Sequence, residues 1–161
     1  MKPLHQKWRN MSGKVFDEPI TKLVKDAIIR EKEAGHRLKI CVGSDSQAYQ
    51  GHISYATVVV VLREGKGGFM FIRNLKGTTK IGLKERMLKE VTMSVEVAYA
   101  ICHILETYKV ELEVHADINT DPKFQSNVAL KDAMGYILGM GFVFKAKPEA
   151  FASSYCADKA V

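Results

Sequence analysis

Four consecutive valines, Val58-Val59-Val60-Val61, constrain this chain more than any other feature. A strand sends alternate side chains to opposite faces, so an unbroken apolar run has to be covered on both. The run lies in a strand from Ile53 to Leu62, which belongs inside a sheet that carries layers on its two faces. Such an architecture needs a proper core. A length of 161 residues, 47% of them hydrophobic, is enough for one domain of this kind.

The remaining elements fall around that strand. Residues 1–16 read as an irregular basic arm, and 17–161 as a single domain. Asp17-Glu18-Pro19 opens a helix, with Pro in the first turn and acids near its positive end. Ile20, Leu23, Val24, Ala27 and Ile28 recur at helical spacing, and Gly35 stops it. Leu38 to Val42 is a short buried strand, followed by a loop at Asp45 and then the valine strand. Glu64-Gly65-Lys66-Gly67-Gly68 is a turn, and Phe69 to Ile72 a third strand. A long helix runs from Leu83 to Tyr108, its buried stripe marked by Met87, Val91, Ser94, Val95, Ala98, Ile101 and Leu105. Val110, Leu112 and Val114 alternate with Glu111, Glu113 and His115 in a fourth strand that ends at Asp117. A helix from Ser126 to Leu138, a fifth strand at Phe142-Val143-Phe144, and a last helix from Lys147-Pro148-Glu149 to Lys159 complete the chain. The expected fold is α/β: a five-stranded mixed sheet, three antiparallel strands then α-β-α-β-α, with an extra N-terminal helix. Ligands on such sheets collect beyond the carboxyl ends of strands.

Charge is unevenly spread. Arg63, Lys66, Arg73, Lys76, Lys80, Lys84, Arg86 and Lys89 face only Glu64 and Glu85 in their segment, a local net charge of +6. A localised basic stretch is the electrostatic footprint of a polyanion partner, although a plain solvated face has the same composition. No apolar run approaches the ~18 residues that span a bilayer. The first residues lack an apolar core of the secretory type, so no signal peptide is expected. Cys41, Cys102 and Cys156 are odd in number and sit among apolar neighbours, which reads as reduced core thiols in a cytoplasmic protein.

Against this basic background, acids recur at element ends. Asp45 closes the apolar run Leu38 to Ser44, and Asp117 closes the fourth strand. On the long helix Glu90 lies beside Met87, Ser94, Val97 and Ile101, at the margin of the apolar stripe, whereas Glu96 and Glu85 fall on the wetter side. A carboxylate turned toward a sheet is costly unless a cation or donor meets it, which favours Glu90 with Glu85 second. Plainer readings stand beside each: a turn cap for Asp45 and Asp117, a boundary residue for Glu90, and a C-terminal surface acid for Asp158.

The element order resembles the ribonuclease H-like superfamily. Val42-Gly43-Ser44-Asp45-Ser46-Gln47, Lys89-Glu90-Val91 with Ser94, Asp117-Ile118-Asn119, Gly139-Met140-Gly141, Lys147-Pro148 and Ala157-Asp158 together resemble its YkuK-type family over residues 17–161. The resemblance implies that Asp45, Glu90, Asp117 and Asp158 are catalytic metal ligands. Asp45 would bridge two ions, Glu90 and Asp117 would hold one, and Asp158 the nucleophile-side ion. Hard carboxylate oxygens select Mg²⁺ or Mn²⁺, and no His pair has ligand spacing. Two ions ~3.5–4 Å apart would drive in-line phosphodiester hydrolysis.

Lys76, Lys80, Lys84, Arg86 and Lys147 are candidate contacts to a phosphate backbone, with Ser44, Gln47 and Asn119 supporting the ligands. Tyr49, Tyr55, Phe69 and Phe71 are either base-stacking or core residues. The expectation is a metal-dependent nuclease on RNA, an RNA–DNA hybrid or structured DNA. The alternative is a non-catalytic nucleic-acid-binding or adaptor protein of the same fold. An actin-like ATPase would need a second such domain and phosphate loops, for which this chain has no room.

Overall fold

The computed structural model describes residues 7–78, 81–116, 132, 135, 138–139 and 142–161. Seven strands form one mixed sheet: β1 Trp8–Arg9, β2 Val15–Phe16, β3 Leu38–Tyr49, β4 His52–Arg63, β5 Gly67–Thr78, β6 Glu111–Ala116 and β7 Val143–Lys145. Their order across the sheet is β2-β1-β5-β4-β3-β6-β7. β3, β4 and β5 form an antiparallel meander, while β6 and β7 add in parallel on the far side of β3. Helix α1, Ile20–Glu33, begins after Pro19, and α2 spans Leu83–Tyr108.

The valine strand is covered on both faces. Val59 and Val61 pack with Ile40 and Val42 against α1 and α2, around Val24, Ile28, Val95 and Ile101. Val58 and Val60 point the other way, to a C-terminal helix of π turns Ala152–Ala157 and a final turn Asp158–Ala160. That second layer is built from small side chains, Ala152, Ala157 and Ala160, so the helix lies close to the sheet. Gly43 completes the close approach, since a Cβ there would stand 2.6 Å from the Ser153 nitrogen.

Several expectations change. Among the described residues the sheet has seven strands rather than the expected five, because the arm expected to be irregular carries β1 and β2. Two-residue strands are too short to show periodicity. Trp8 is fully buried among the core residues and anchors them. Asp45 is not in a loop: β3 runs on to Tyr49 and turns at Gln50 and Gly51, both with positive φ, a two-residue hairpin of the I′ kind. The three meander strands are therefore twelve residues each, longer than their apolar stretches. The last helix starts later than expected. Glu149 N–H bonds the Ala146 carbonyl in a turn, and helical bonds begin from the Ala150 carbonyl. The helix expected at Ser126–Leu138 lies mostly outside the described residues.

Candidate functional site

Helix α2 is fastened to β3 by a row of polar contacts. Ser94 and Ser44 bond through their hydroxyls at 2.7 Å, and Ser44 meets Thr57 at 2.9 Å. Arg73, fully buried beneath Trp8, donates to Thr57 at 3.4 Å. Burial pushes its guanidinium down to about 10. One turn toward the start of α2, Ser46 donates to Glu90 Oε2 at 3.1 Å. One turn further, Arg86 donates through Nε to Ser46 Oγ at 2.6 Å and through Nη2 to the Ser46 carbonyl at 2.8 Å. The spacing follows from geometry. Four helical residues rise ~6 Å and two strand residues ~6.6 Å, so Glu90 and Ser94 match Ser46 and Ser44. Arg86, Ser46 and Glu90 thus form a relay, with the serine hydroxyl accepting from the cation and donating to the carboxylate. Glu90 is half-buried there, while Glu85 is exposed.

Asp45 precedes Ser46 and faces the opposite side of the sheet by strand alternation. It is half-buried, and its Oδ1 accepts the Ser46 N–H at 2.8 Å. Parallel pairing of β3 with β6 is described up to Ser44 with Ala116, so Asp45 follows directly. Asp117, Asn119 and Lys80 lie outside the described residues. Asp158 is exposed at the start of the last turn. Among the described residues, Asp45, Glu90 and Asp158 do not form a group of ligand atoms within 4.8 Å of one another. Ser44 is turned to α2, whereas Gln47 is exposed on the Asp45 face. Lys76 and Lys147 are exposed, and Lys84 pairs with Asp132 at 3.2 Å. Lys89 lies over the Tyr55 ring at 4.9 Å.

The described residues bring together a different trio, Cys41, Glu113 and His115, all buried with ligand atoms within 4.8 Å. The sequence shows them as a core thiol and two polar members of an alternating strand. Their burial comes from the C-terminal helix, whose small residues give little periodic signal. The backbone N–H of Ala152 can only donate, so at 3.1 Å it makes His115 Nδ1 an acceptor. The ring proton then sits on Nε2 and donates to Glu113 Oε1 at 2.9 Å. Lys39 closes on the other Glu113 oxygen at 2.8 Å. Burial alone would raise the Glu113 carboxyl, but Lys39 and His115 outweigh it and hold it below the usual range. Burial lowers the His115 imidazole, with Glu113 opposing. Both ring nitrogens are engaged, and these bonds tie β6 to the C-terminal helix.

A family model described as Ribonuclease H-like matches residues 20–161. The uncharacterized protein YkuK of Bacillus subtilis (strain 168) is 25% identical over 146 residues, covering 80% of this chain and 82% of that protein. No solved structure matches the chain.

Proposed function

The chain belongs to the ribonuclease H-like family, and on that premise we propose that it is a divalent-metal-dependent nuclease. In this reading Asp45, Glu90, Asp117 and Asp158 hold two Mg²⁺ or Mn²⁺ ions. The donor chemistry fits: every proposed ligand is a carboxylate, the hard oxygen donor these ions prefer, and Asp45 and Glu90 are each half-buried. When bound, the ions activate a water and stabilise the leaving oxygen of a phosphodiester.

The chain's own residues do the rest. Arg86 steadies Ser46, and Ser46 orients Glu90. Exposed Lys76 and Lys147, with Lys80 and Lys84, attract a phosphate backbone without reading its sequence. The substrate is RNA, an RNA–DNA hybrid or structured DNA, and the place of action the cytoplasm. Among the described residues no helix is long and apolar enough to cross a membrane. The observation that carries this reading is the family match over residues 20–161; the bond from Ser46 holds Glu90 against β3 one residue along from Asp45, on the other face of the strand.

A second reading, a non-catalytic nucleic-acid-binding or adaptor protein, is favoured by strand alternation, which turns Asp45 to the face of β3 opposite Ser46 and Glu90. One experiment separates the two. Purified protein and Asp45→Asn are incubated with labelled single-stranded, duplex, hybrid and branched substrates in Mg²⁺ or Mn²⁺. Cleavage by the wild type that Asp45→Asn abolishes supports the nuclease. Binding with no cleavage of any substrate supports the adaptor, and cleavage that survives Asp45→Asn removes Asp45 from the site.

A further inference from the structure

The meander extends past the last described parallel pair, Ser44 with Ala116, as a three-stranded tongue. Its two faces differ in kind. On the α2 side, Ile53, Tyr55 and Leu75 pack with Met93 and Ile81. The other side begins at Asp45, and its rows follow from the register. Asp45 is level with Ala56 and Asn74, Gln47 with Ser54 and Lys76, and Tyr49 with His52. Among the described residues, the C-terminal helix reaches this face at Ala56 and at Asn74, whose side-chain amide donates to the Ala160 carbonyl at 2.8 Å. Beyond that foot the surface is open among the described residues. Gln47, His52 and Lys76 are exposed, and Tyr49 is 72% exposed. Of the four aromatics considered for base stacking, Tyr55 and Phe71 are buried, Phe69 is half-buried and Tyr49 is exposed.

A lone exposed tyrosine needs no explanation. Here it ends a graded strip: a carboxylate, then an amide beside a hydroxyl and an ammonium, then a phenol beside an imidazole. Asp45 and Tyr49 are four strand residues apart, ~13 Å. We propose that this face of the tongue is a platform for single-stranded nucleic acid. A base stacks on Tyr49, Lys76 meets the backbone phosphate, and Gln47 and Ser54 bond base edges or ribose. Stacking on an aromatic with a flanking cation is how single strands are held without sequence preference, because every base offers a π-face. A regular duplex keeps its bases stacked on one another and cannot use Tyr49 in this way. The proposal rests on the nuclease reading for its purpose, since it would feed a strand toward Asp45, but binding can be measured without catalysis.

The test is fluorescence anisotropy with a short labelled oligouridine, the matching single-stranded DNA and a hybrid duplex, all in EDTA so that no cleavage occurs. Wild type is compared with Tyr49→Ala, Tyr49→Phe, Lys76→Gln and Tyr99→Ala, the last removing an exposed tyrosine of α2. The expected result is that Tyr49→Ala weakens single-strand binding about tenfold or more, Tyr49→Phe retains it, and Tyr99→Ala matches wild type. Lys76→Gln should weaken binding and flatten its salt dependence. Circular dichroism confirms that each variant is folded. The platform is overturned if folded Tyr49→Ala binds single strands as wild type does, or if wild type binds only the duplex. Cleavage of a duplex without single-strand binding would sink the platform and leave the nuclease standing. Binding through Tyr49 with no substrate cleaved in Mg²⁺ or Mn²⁺ would do the reverse.

Discussion

Gly43 lies so close under Ser153 that a Cβ on it would stand 2.6 Å from the Ser153 nitrogen and 2.7 Å from the Ala152 carbonyl carbon. Both atoms are backbone, so no rotamer change relieves the clash. Gly43→Ala therefore has to push the C-terminal helix off the sheet. The expected cost is about 2–3 kcal/mol, seen as a lower denaturation midpoint. Amides of residues 152–160 should exchange faster with solvent while those of β4 keep their protection. Unchanged stability with unchanged exchange would show that the helix is not seated on Gly43.

The relay from Arg86 through Ser46 to Glu90 has a measurable signature of its own. Ser46→Ala removes the donor to Glu90 and the acceptor of Arg86 Nε together, at about 1–3 kcal/mol. Glu90→Gln disturbs the same bond, so the two changes cannot add. In a double-mutant cycle read by chemical denaturation, the double variant should fall short of the sum by about 1 kcal/mol. Additive effects would mean that the serine and the glutamate do not act on one another.

Much of this arrangement is legible in the sequence, and the misses share a cause. The valine run announces a strand covered twice, and it splits as strand alternation requires, Val59 and Val61 to one layer, Val58 and Val60 to the other. The apolar stripe of α2 gives its limits, Leu83 and Tyr108, and leaves Glu90 at the margin, where it is half-buried. The tongue is hidden because Asp45 and Ser46 are turn-forming residue types, while strand pairing of a mostly polar tip depends on its neighbours rather than on its own pattern. β1 and β2 are too short to show a period. Glu113 and His115 look solvent-facing because the covering helix is built largely of alanine and serine, Ala152, Ser153, Ala157 and Ala160, which carry little hydrophobic signal. The metal role of the acids is implied by the family pattern, not by periodicity.

Acid should expose the ion pairs of β6 and α1. Glu113 and Glu31 have carboxyls held below the usual 4.5, Glu31 because His36, Arg30 and Arg63 outweigh its burial. Their folded forms therefore bind protons less readily than the unfolded chain does. The stability they supply is fully present above 4.5 and is lost as pH falls through the lower folded values. Glu113→Gln mimics the protonated acid. It should cost about 2 kcal/mol at neutral pH and progressively less as pH falls below 4.5, measured as denaturation midpoints of variant and wild type from neutral pH into acid. An equal penalty at both ends would show that charge at Glu113 does not stabilise the fold.

Cysteine chemistry gives an independent reading of how firmly the C-terminal helix sits. Cys41 is fully buried, and desolvation, aided by the Glu113 carboxylate and opposed by Lys39, pushes its thiol up to about 12. The thiolate is the nucleophile, so both access and ionisation are denied to it at pH 8. Cys102 and Cys156 are only half-buried, rather than full core residues as their sequence neighbours imply, and burial also raises the Cys156 thiol. Iodoacetamide followed by peptide mass spectrometry should therefore modify Cys102 first and Cys41 last. Cys41 shares its side of β3 with Gly43 and packs against the same alanines. Gly43→Ala should accelerate labelling of Cys41 more than that of Cys102, whose sulfur bonds the Tyr99 carbonyl on α2, away from the disturbed layer. If Cys41 in the native wild type reacts as fast as Cys102, the helix does not shield it and the close packing at Gly43 is not maintained in solution.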